Sequence, residues 1–286
     1  MDEARCAPYI NRIKMENKGI RIGVIVTTYN WPEALALCIK SLFRQTRLPD
    51  EIIIADDGSR EPTRRAVEQL KLETGIPIKH VWHEDRGFRL SEIRNKAIIS
   101  ADADYLIQTD GDCILSRHFV EDHLRAAECG CFVCGSRVHL SEEQSRPLLK
   151  DAFRKGLPTI RVWPSNPDFL NTIRIRPLSL YMERRYGKKI DHLRGCNMAF
   201  WKSDLIRVNG YDESLTGWGH EDGELAWRLH FAGVQKKFLK FAGVVYHIYH
   251  KERPRSDEGT HIDSINEVTR LQSSWCDCGI EKTQNK

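Results

Sequence analysis

The fold is decided by a short apolar run and the turn behind it, Arg21-Ile22-Gly23-Val24-Ile25-Val26-Thr27-Thr28 followed by Tyr29-Asn30-Trp31-Pro32. An apolar run of this length that ends in a polar turn is typical of a fully buried strand of a parallel sheet. Pro32 suits the first turn of a helix, and apolar residues recur at helical spacing from Leu35 to Leu42. The stretch therefore predicts a buried strand that leads directly into a helix.

The same alternation of strand and helix continues through the first half of the chain. Further strands are predicted at Glu51–Ala55, Ile78–Trp82 and Tyr105–Thr109. This pattern predicts an α/β fold, a Rossmann-like and mostly parallel sheet with helices on both faces. Three polar turns follow such strands, Thr27–Asn30, Asp56–Ser59 and Asp110–Asp112. Because ligands of these sheets bind beyond the carboxyl ends of the strands, we expect the turns to share one cleft.

The second half of the chain is less regular. The pattern weakens from Ser141 to Leu193, and it returns at Gly195–Trp201 and in a helix from about Gly223 to Phe231. The last strand-like stretch is Phe241–Tyr249, and the polar tail beyond Trp275 is expected to be mobile.

Composition excludes some classes of partner. The 286 residues carry a formal net charge of +4, which is too small to indicate a nucleic acid. The nine cysteines have irregular spacing, and residues 1–18 are polar and charged. These two features predict reduced thiols in a cytoplasmic protein. No apolar run is long enough to cross a bilayer, so any membrane contact is expected to be peripheral.

Two groups of residues are candidates for holding a metal ion. Asp110-Gly111-Asp112 places two carboxylates on one side of an extended backbone, and Gly111 allows close approach of a ligand. Such oxygen ligands suit Mn²⁺ or Mg²⁺ bound to phosphate, although the same tripeptide also occurs in solvated turns. His247 and His250 can converge on one ion if the chain bends after its strand.

A third candidate lies in Gly217-Trp218-Gly219-His220-Glu221-Asp222-Gly223-Glu224. Glu221 and Asp222 would lie at a helix N-terminus, where the dipole favours ionised carboxylates. One of them can act as a general base, or both can simply cap the helix. The glycines on either side of Trp218 indicate a ligand-contacting loop.

Two other clusters indicate structure rather than chemistry. A zinc site could be imagined from Cys129, Cys131, Cys134, Cys276 and Cys278. Because Gly130–Val138 is predicted as a strand, Cys131 and Cys134 would face opposite ways, which favours core packing. The basic stretch from Arg146 to Lys189 is interpreted as a solvated face, although it could contact an anionic acceptor or membrane lipid.

Taken in order, the motifs resemble family 2 glycosyltransferases of the GT-A fold. The first half is similar in Val24-Ile25-Val26-Thr27-Thr28-Tyr29-Asn30, Ile53-Ile54-Ala55-Asp56-Asp57-Gly58-Ser59 and Tyr105-Leu106-Ile107-Gln108-Thr109-Asp110-Gly111-Asp112. The second half resembles β-1,4-galactosyltransferases and bacterial chondroitin-type polymerases in Gly195-Cys196-Asn197-Met198-Ala199-Phe200, Asn209-Gly210-Tyr211-Asp212 and Trp218-Gly219-His220-Glu221-Asp222.

The resemblance implies a role for each matching position. It implies a donor-binding set of Thr27, Thr28, Tyr29, Asp57, Arg94, Asp110, Gly111 and Trp218. It implies Asp112, His247 and His250 as metal ligands, Asp222 as the catalytic base and Glu221 as an acceptor-orienting acid. His220 and Gly223 depart from the animal enzymes, so acceptor identity does not carry over.

The resemblance also implies the segments and the reaction. The segments are an N-terminal extension (1–19), a nucleotide-sugar-binding half (20–140), an acceptor-side catalytic half (141–255) and a C-terminal tail (256–286). The reaction is inverting, metal-dependent transfer of a hexose or N-acetylhexosamine from a UDP-sugar to a glycan or glycolipid hydroxyl, in surface polysaccharide or lipopolysaccharide synthesis. The alternatives are a sugar-1-phosphate nucleotidyltransferase, which usually has a glycine-rich loop after its first strand, and a non-catalytic glycan-binding module.

Overall fold

The computed structural model describes residues 19–154, 156–217, 219–251 and 258–282. Its strands are β1 Ile22–Thr28, β2 Glu51–Asp56, β3 Ile78–Trp82, β4 Tyr105–Asp110, β5 Cys113–Leu115, β6 Cys131–Gly135, β7 Arg137–His139, β8 Met198–Trp201, β9 Gln235–Leu239 and β10 Val245–His247. Its α-helices are α1 Pro32–Leu42, α2 Glu61–Lys71, α3 Leu90–Ser100, α4 Phe119–Ala126, α5 Glu142–Lys150, α6 Arg176–Gly187, α7 Lys202–Arg207, α8 Glu221–Phe231 and α9 Glu258–Leu271, and a 3₁₀ turn spans Phe169–Thr172.

The central sheet has seven strands in the order β3-β2-β1-β4-β8-β6-β9. The strands from β1 to β4 run parallel, whereas β8 is antiparallel to both of its neighbours. The predicted α/β fold with a mostly parallel sheet is therefore confirmed, and the first four predicted strands lie where the sequence placed them.

Side chains of β1 alternate between two cores, one on each face of the sheet. Val24 and Val26 belong to the core that includes Leu35 of α1. Ile25 belongs to the core on the other face, with Ile93 of α3 and Leu225 of α8. Because both faces are covered, every residue of β1 is buried, which explains its continuous apolar sequence.

A small sheet in the order β5-β10-β7 adjoins the carboxyl end of β4. The predicted strand over Gly130–Val138 breaks at Ser136, so that β6 enters the large sheet and β7 the small one. The strand predicted at Phe241–Tyr249 forms only over Val245–His247, where it pairs antiparallel with β5. This pairing places His247 opposite Cys113, one residue after Asp112.

The expectation that the chain beyond Trp275 is mobile was wrong for residues 276–282. Asn209 is buried and has a left-handed backbone conformation, with φ of 63°. Its side chain forms hydrogen bonds with backbone groups near both ends of this segment. Its Nδ2 donates to the carbonyls of Cys276 (2.6 Å) and Glu281 (2.8 Å), and its Oδ1 accepts from the Glu281 amide (2.7 Å). Helix α9 likewise packs against α8.

None of the helices in the described ranges has the length and apolar character needed to span a bilayer.

We expect Asn209→Ala to lower the free energy of unfolding by about 2–4 kcal/mol, because buried partners lose their hydrogen bonds and alanine tolerates this φ poorly. Urea unfolding measures the change. Asn209→Gly is the matched control, since glycine accepts the left-handed backbone and loses only the hydrogen bonds. Wild-type midpoints in both variants would show that the segment is not held by this side chain.

Candidate active site

The polar turns predicted to share a cleft do meet at one edge of the sheet. Thr27 lies opposite Asp110 in the register of β1 and β4, and the Asp57 amide donates to the Thr28 carbonyl (3.0 Å). Thr27 Oγ1 donates to Asp110 Oδ1 (2.7 Å), and the Gly111 amide donates to the Thr27 carbonyl (2.7 Å). A Cβ at Gly111 would lie 2.8 Å from that carbonyl oxygen, so the close approach of the two turns requires glycine.

Asp112, His247 and His250 form the candidate metal centre. Asp112 Oδ2 lies 3.2 Å from His250 Nε2 and 3.6 Å from His247 Nε2. One ligand atom from each side chain fits within a 4.8 Å cluster. The chain bends after β10, and the Ile248 amide donates to the backbone carbonyl of Asp112 (2.9 Å). This hydrogen bond holds the segment between the two histidines next to Asp112.

The electrostatics of this cluster suit a cation. Burial lowers the pKa of His247 to about 4, so that its ring is neutral and a nitrogen lone pair is available. Burial would raise the pKa of Asp112, but the hydrogen bond with His250 and the nearby His247 lower it, so the carboxylate is ionised. One carboxylate and two imidazoles can hold a divalent transition ion such as Mn²⁺, whereas Mg²⁺ prefers oxygen ligands alone.

The nucleotide-side residues are positioned by contacts within the chain. Asp57 accepts from the Arg89 amide at Oδ2 (3.0 Å), and its Oδ1 lies 2.7 Å from His83 Nε2. Burial raises the pKa of Asp57 in spite of these hydrogen bonds. The Tyr29 hydroxyl donates to Asp85 (2.9 Å). Asp57 is therefore fixed in the cleft, and the donor-binding assignment of these residues stays a prediction.

Glu221 and Asp222 begin helix α8, as predicted, and Arg94 joins them to the metal side of the cleft. The buried Arg94 donates from one guanidinium nitrogen to Glu221 (3.0 Å) and Asp222 (3.1 Å). Its other terminal nitrogen lies 3.6 Å from Asp110. Burial alone would lower the pKa of Arg94, but Asp222, Tyr211 and the other carboxylates raise it. The guanidinium is thus a permanent charge between three acidic groups.

The two oxygens of Asp222 have different surroundings. Oδ1 lies near Arg94, the Tyr211 hydroxyl (3.1 Å) and Gln108 Nε2 (3.3 Å). Within the described ranges, no residue donates a hydrogen bond to Oδ2, which faces Gly195. A Cβ at Gly195 would lie only 1.7 Å from Oδ2, so glycine leaves the space that this oxygen needs. The carboxylate is therefore oriented through one oxygen, and the other is able to accept a proton.

Three members of this arrangement were missed as site residues: Gln108, Gly195 and Tyr211. Gln108 also donates to the Gly195 carbonyl (2.9 Å), and the Tyr211 hydroxyl lies 2.7 Å from Gln108 Oε1. All three lie within motifs of the family resemblance. Only Gln108 has a signal in the sequence, because it lies two residues before Asp110 and therefore points to the same side of β4.

The loop before α8 is anchored by a residue that the sequence did not mark. His261 of α9 is buried, and its Nε2 lies 2.9 Å from the Thr216 carbonyl, while its Nδ1 contacts the Gly219 carbonyl. These carbonyls lie on either side of Trp218, which falls outside the described residues, so its predicted role is untested. His261 therefore links the C-terminal helix to the loop next to Glu221 and Asp222.

The cysteines agree with core packing. Cys131, Cys134 and Cys276 are buried free thiols, and Cys134 lies in a hydrophobic core. The metal-ligand group found in the described part of the chain is the one at Asp112.

Comparison with known sequence families gives two matches. Residues 23–208, well over half of the chain, match the model described as glycosyl transferase family 2. Residues 176–251 match the model described as N-terminal domain of galactosyltransferase.

Several named relatives are similar over most of this chain. A chondroitin synthase of Pasteurella multocida is 28% identical over 90% of this chain and 27% of its own length, and that of Escherichia coli is 26% identical over 87% and 37%. A validoxylamine A glucosyltransferase of Streptomyces hygroscopicus is 29% identical over 74% of this chain and 48% of its own length. This chain thus spans about a quarter to a half of the length of these relatives.

Among solved structures, S. aureus TarS 1-349 in complex with UDP has a TM-score of 0.57 at 15% identity, covering 86% of this chain and 64% of that one. Together with the family match, this likeness confirms the predicted GT-A fold.

We expect His261→Ala to release the loop on both sides of residue 218, because the ring that contacts the Thr216 and Gly219 carbonyls is removed. Hydrogen exchange of the amides in 216–220 should become about tenfold faster, in line with the loss of one or two hydrogen bonds. His230→Ala, an exposed ring on α8, is the matched control and should leave these amides unchanged. Equal protection in both variants would remove the anchoring role of His261.

Proposed function

Because the chain belongs to family 2 of the glycosyltransferases, we propose that it transfers a hexose or N-acetylhexosamine from a UDP-sugar to a hydroxyl of a glycan or glycolipid, with inversion. The observation that carries this proposal is one cleft that holds the Asp112, His247 and His250 cluster together with the Arg94-linked pair of Glu221 and Asp222. A binding module would have no need for an oriented carboxylate beside a cluster of metal-ligand side chains.

The proposed donor site lies along the carboxyl ends of β1, β2 and β4. We assign to it the residues Thr27, Thr28, Tyr29, Asp57, Arg94, Asp110, Gly111 and Trp218. Support comes from the convergence of their turns at this edge and from the UDP complex of the structurally similar TarS. Since Arg94 pairs with carboxylates, its proposed effect on the donor acts through Asp110, which lies 3.6 Å from its terminal nitrogen.

The proposed cofactor is Mn²⁺ or Mg²⁺, held by Asp112, His247 and His250. When bound, the ion supplies positive charge that stabilises a departing diphosphate. The proximity of Asp112 to both imidazoles supports this assignment, because the ionised carboxylate of Asp112 and the neutral ring of His247 are the forms that bind metal.

Asp222 is the proposed general base. Its Oδ2 takes the proton of the acceptor hydroxyl while the hydroxyl oxygen forms a bond to the anomeric carbon and the bond to the diphosphate breaks. The attack and departure occur on opposite sides of that carbon, so a single displacement inverts its configuration. Tyr211, Gln108 and Arg94 hold Oδ1, and Glu221 would orient the acceptor from the same helix turn.

The proposed setting is synthesis of a surface polysaccharide or lipopolysaccharide in the cytoplasm, with at most peripheral contact with a membrane. The chondroitin synthases named above support a role in polysaccharide synthesis. The nucleotidyltransferase alternative is disfavoured, because the turn after β1 reads Thr28-Tyr29-Asn30-Trp31 instead of a glycine-rich phosphate loop.

A panel of UDP-sugars tests the function as a whole. We expect one or more to raise the melting temperature only with Mn²⁺ or Mg²⁺ present, since a ligand that binds the native state stabilises it by mass action. The same sugars should be released slowly from UDP in a metal-dependent reaction with water. Neither effect with any UDP-sugar would contradict the proposed donor class.

Asp222→Asn tests the base. We expect its rate of sugar transfer to fall by about 10²–10⁴, while UDP and metal still stabilise the variant, because the amide keeps the shape of the side chain and cannot take the proton. Glu142→Gln removes a first-turn carboxylate from α5 and is the matched control. Transfer at the wild-type rate in Asp222→Asn would rule out Asp222 as the base.

A further inference from the structure

A cavity of about 180 Å³ lies beside the candidate metal centre, and half of the residues in its lining are basic. Three permanent cations, two histidines and one carboxylate contribute to its walls: Arg137, Arg194, Lys240, His139, His192 and Asp168. The cavity is large enough to hold a charged substituent or part of one sugar ring. Arg194 is exposed, so the rim of the cavity is open to solvent.

The cavity connects the two halves of the candidate active site. His139 pairs with His247 in the register of β7 and β10, and their ring centroids are 5.7 Å apart. On the other side, Arg194 immediately precedes Gly195, which faces Asp222 Oδ2. An acceptor whose hydroxyl reaches Asp222 would therefore have its neighbouring groups next to this cavity.

The positive charge of the cavity is not balanced by the chain. Its lining has three cations and one carboxylate, Asp168, whose Oδ2 accepts from the His139 amide (3.0 Å) and lies 2.7 Å from His139 Nδ1. Lys240 donates to the neutral side chain of Asn171 (2.7 Å), and Arg194 donates to a backbone carbonyl (2.6 Å). Within the described ranges, neither cation forms a salt bridge with a carboxylate.

Arg137 adds to this imbalance on the inner wall. Its Nε is buried and has no hydrogen-bond partner within the described part of the chain. Burial of a guanidinium is costly unless its donors are paired, and a carboxylate or phosphate is the partner that matches their geometry. The aromatic rings of Tyr186 and Phe238, with centroids 6.1 Å apart, offer an apolar wall for the body of a sugar.

We propose that this cavity binds an anionic group, a carboxylate or a phosphate, carried by the acceptor. Arg194 and Lys240 select the acceptor from the rim, and the group lies between the metal side and the base side of the cleft. The assignment rests on the proposed function, because it requires an acceptor at Asp222. It adds a substrate class, the negatively charged glycans.

The test compares two double variants that lose the same charge. Arg194→Gln/Lys240→Gln neutralises the rim of the cavity, and Arg64→Gln/Arg65→Gln neutralises two side chains of α2 that are 72% and 79% exposed. Binding of three glycan probes is measured with UDP and Mn²⁺ present: a uronate-terminated oligosaccharide, its carboxyl-reduced counterpart and the same backbone with a phosphate.

The wild-type protein and the α2 variant should bind at least one charged probe about tenfold more tightly than the reduced one, as expected for charge-assisted hydrogen bonds. The cavity variant should lose this preference while UDP binding is unchanged. If only one of the two charged probes binds more tightly than the reduced one, that probe shows whether the anionic group is a carboxylate or a phosphate. The proposal is overturned if the wild-type protein shows no preference for charge, if the cavity variant keeps it, or if the loss appears in UDP affinity instead.

Metal-dependent release of sugar from UDP-sugars, measured without glycan, separates this result from the function itself. If that reaction is absent in the wild-type protein, the proposed function fails. If it is present and equal in both double variants while no charged probe is preferred, only the anionic acceptor site fails.

Discussion

Carboxylates cluster in the cleft at the end of β4 and the start of α8, and the architecture of the site follows from the need to compensate their charge. The buried Arg94 lies within ion-pair distance of Asp110, Glu221 and Asp222, and it thereby joins the end of β4 to the start of α8. Asp112 instead faces two imidazoles. Because an uncompensated buried charge costs several kcal/mol, these contacts stabilise α8 and the segment after β10 next to the large sheet. A divalent ion at Asp112 would complete the compensation on the side where a diphosphate would arrive.

Much of the fold could be predicted because its strands are buried on both faces, which leaves continuous apolar runs such as Ile22–Val26 in the sequence. The topology of a parallel sheet then brings the ends of β1, β2 and β4 to one edge, so Thr27, Asp57 and Asp110 could be expected together. The convergence of Asp112 with His250 could not be derived in this way. It depends on β5 pairing with β10 across more than a hundred residues, and only the family resemblance indicated it.

What remained unpredicted depends on contacts between segments that are remote in sequence. Tyr211 and Gln108 orient Asp222 through side chains that have no distinctive spacing. The docking of residues 276–282 depends on Asn209, whose left-handed backbone has no signal beyond an Asn-Gly pair. The capping box of Ser141 and Gln144, by contrast, is visible in the sequence as Ser-Glu-Glu-Gln and marks the start of helix α5 in a stretch whose hydrophobic periodicity is weak. The basic cavity collects residues from several elements, so no single stretch indicates it.

The proposed chemistry depends on Asp112 and two histidines meeting around a single divalent ion. Pulsed electron paramagnetic resonance of Mn²⁺ bound in the presence of UDP tests it most directly, since nitrogen ligands couple to the electron spin of the metal. We expect coupling to two imidazole nitrogens, with one lost in His247→Ala and the other in His250→Ala. Bound Mn²⁺ with no nitrogen coupling, or coupling that neither substitution changes, would contradict it.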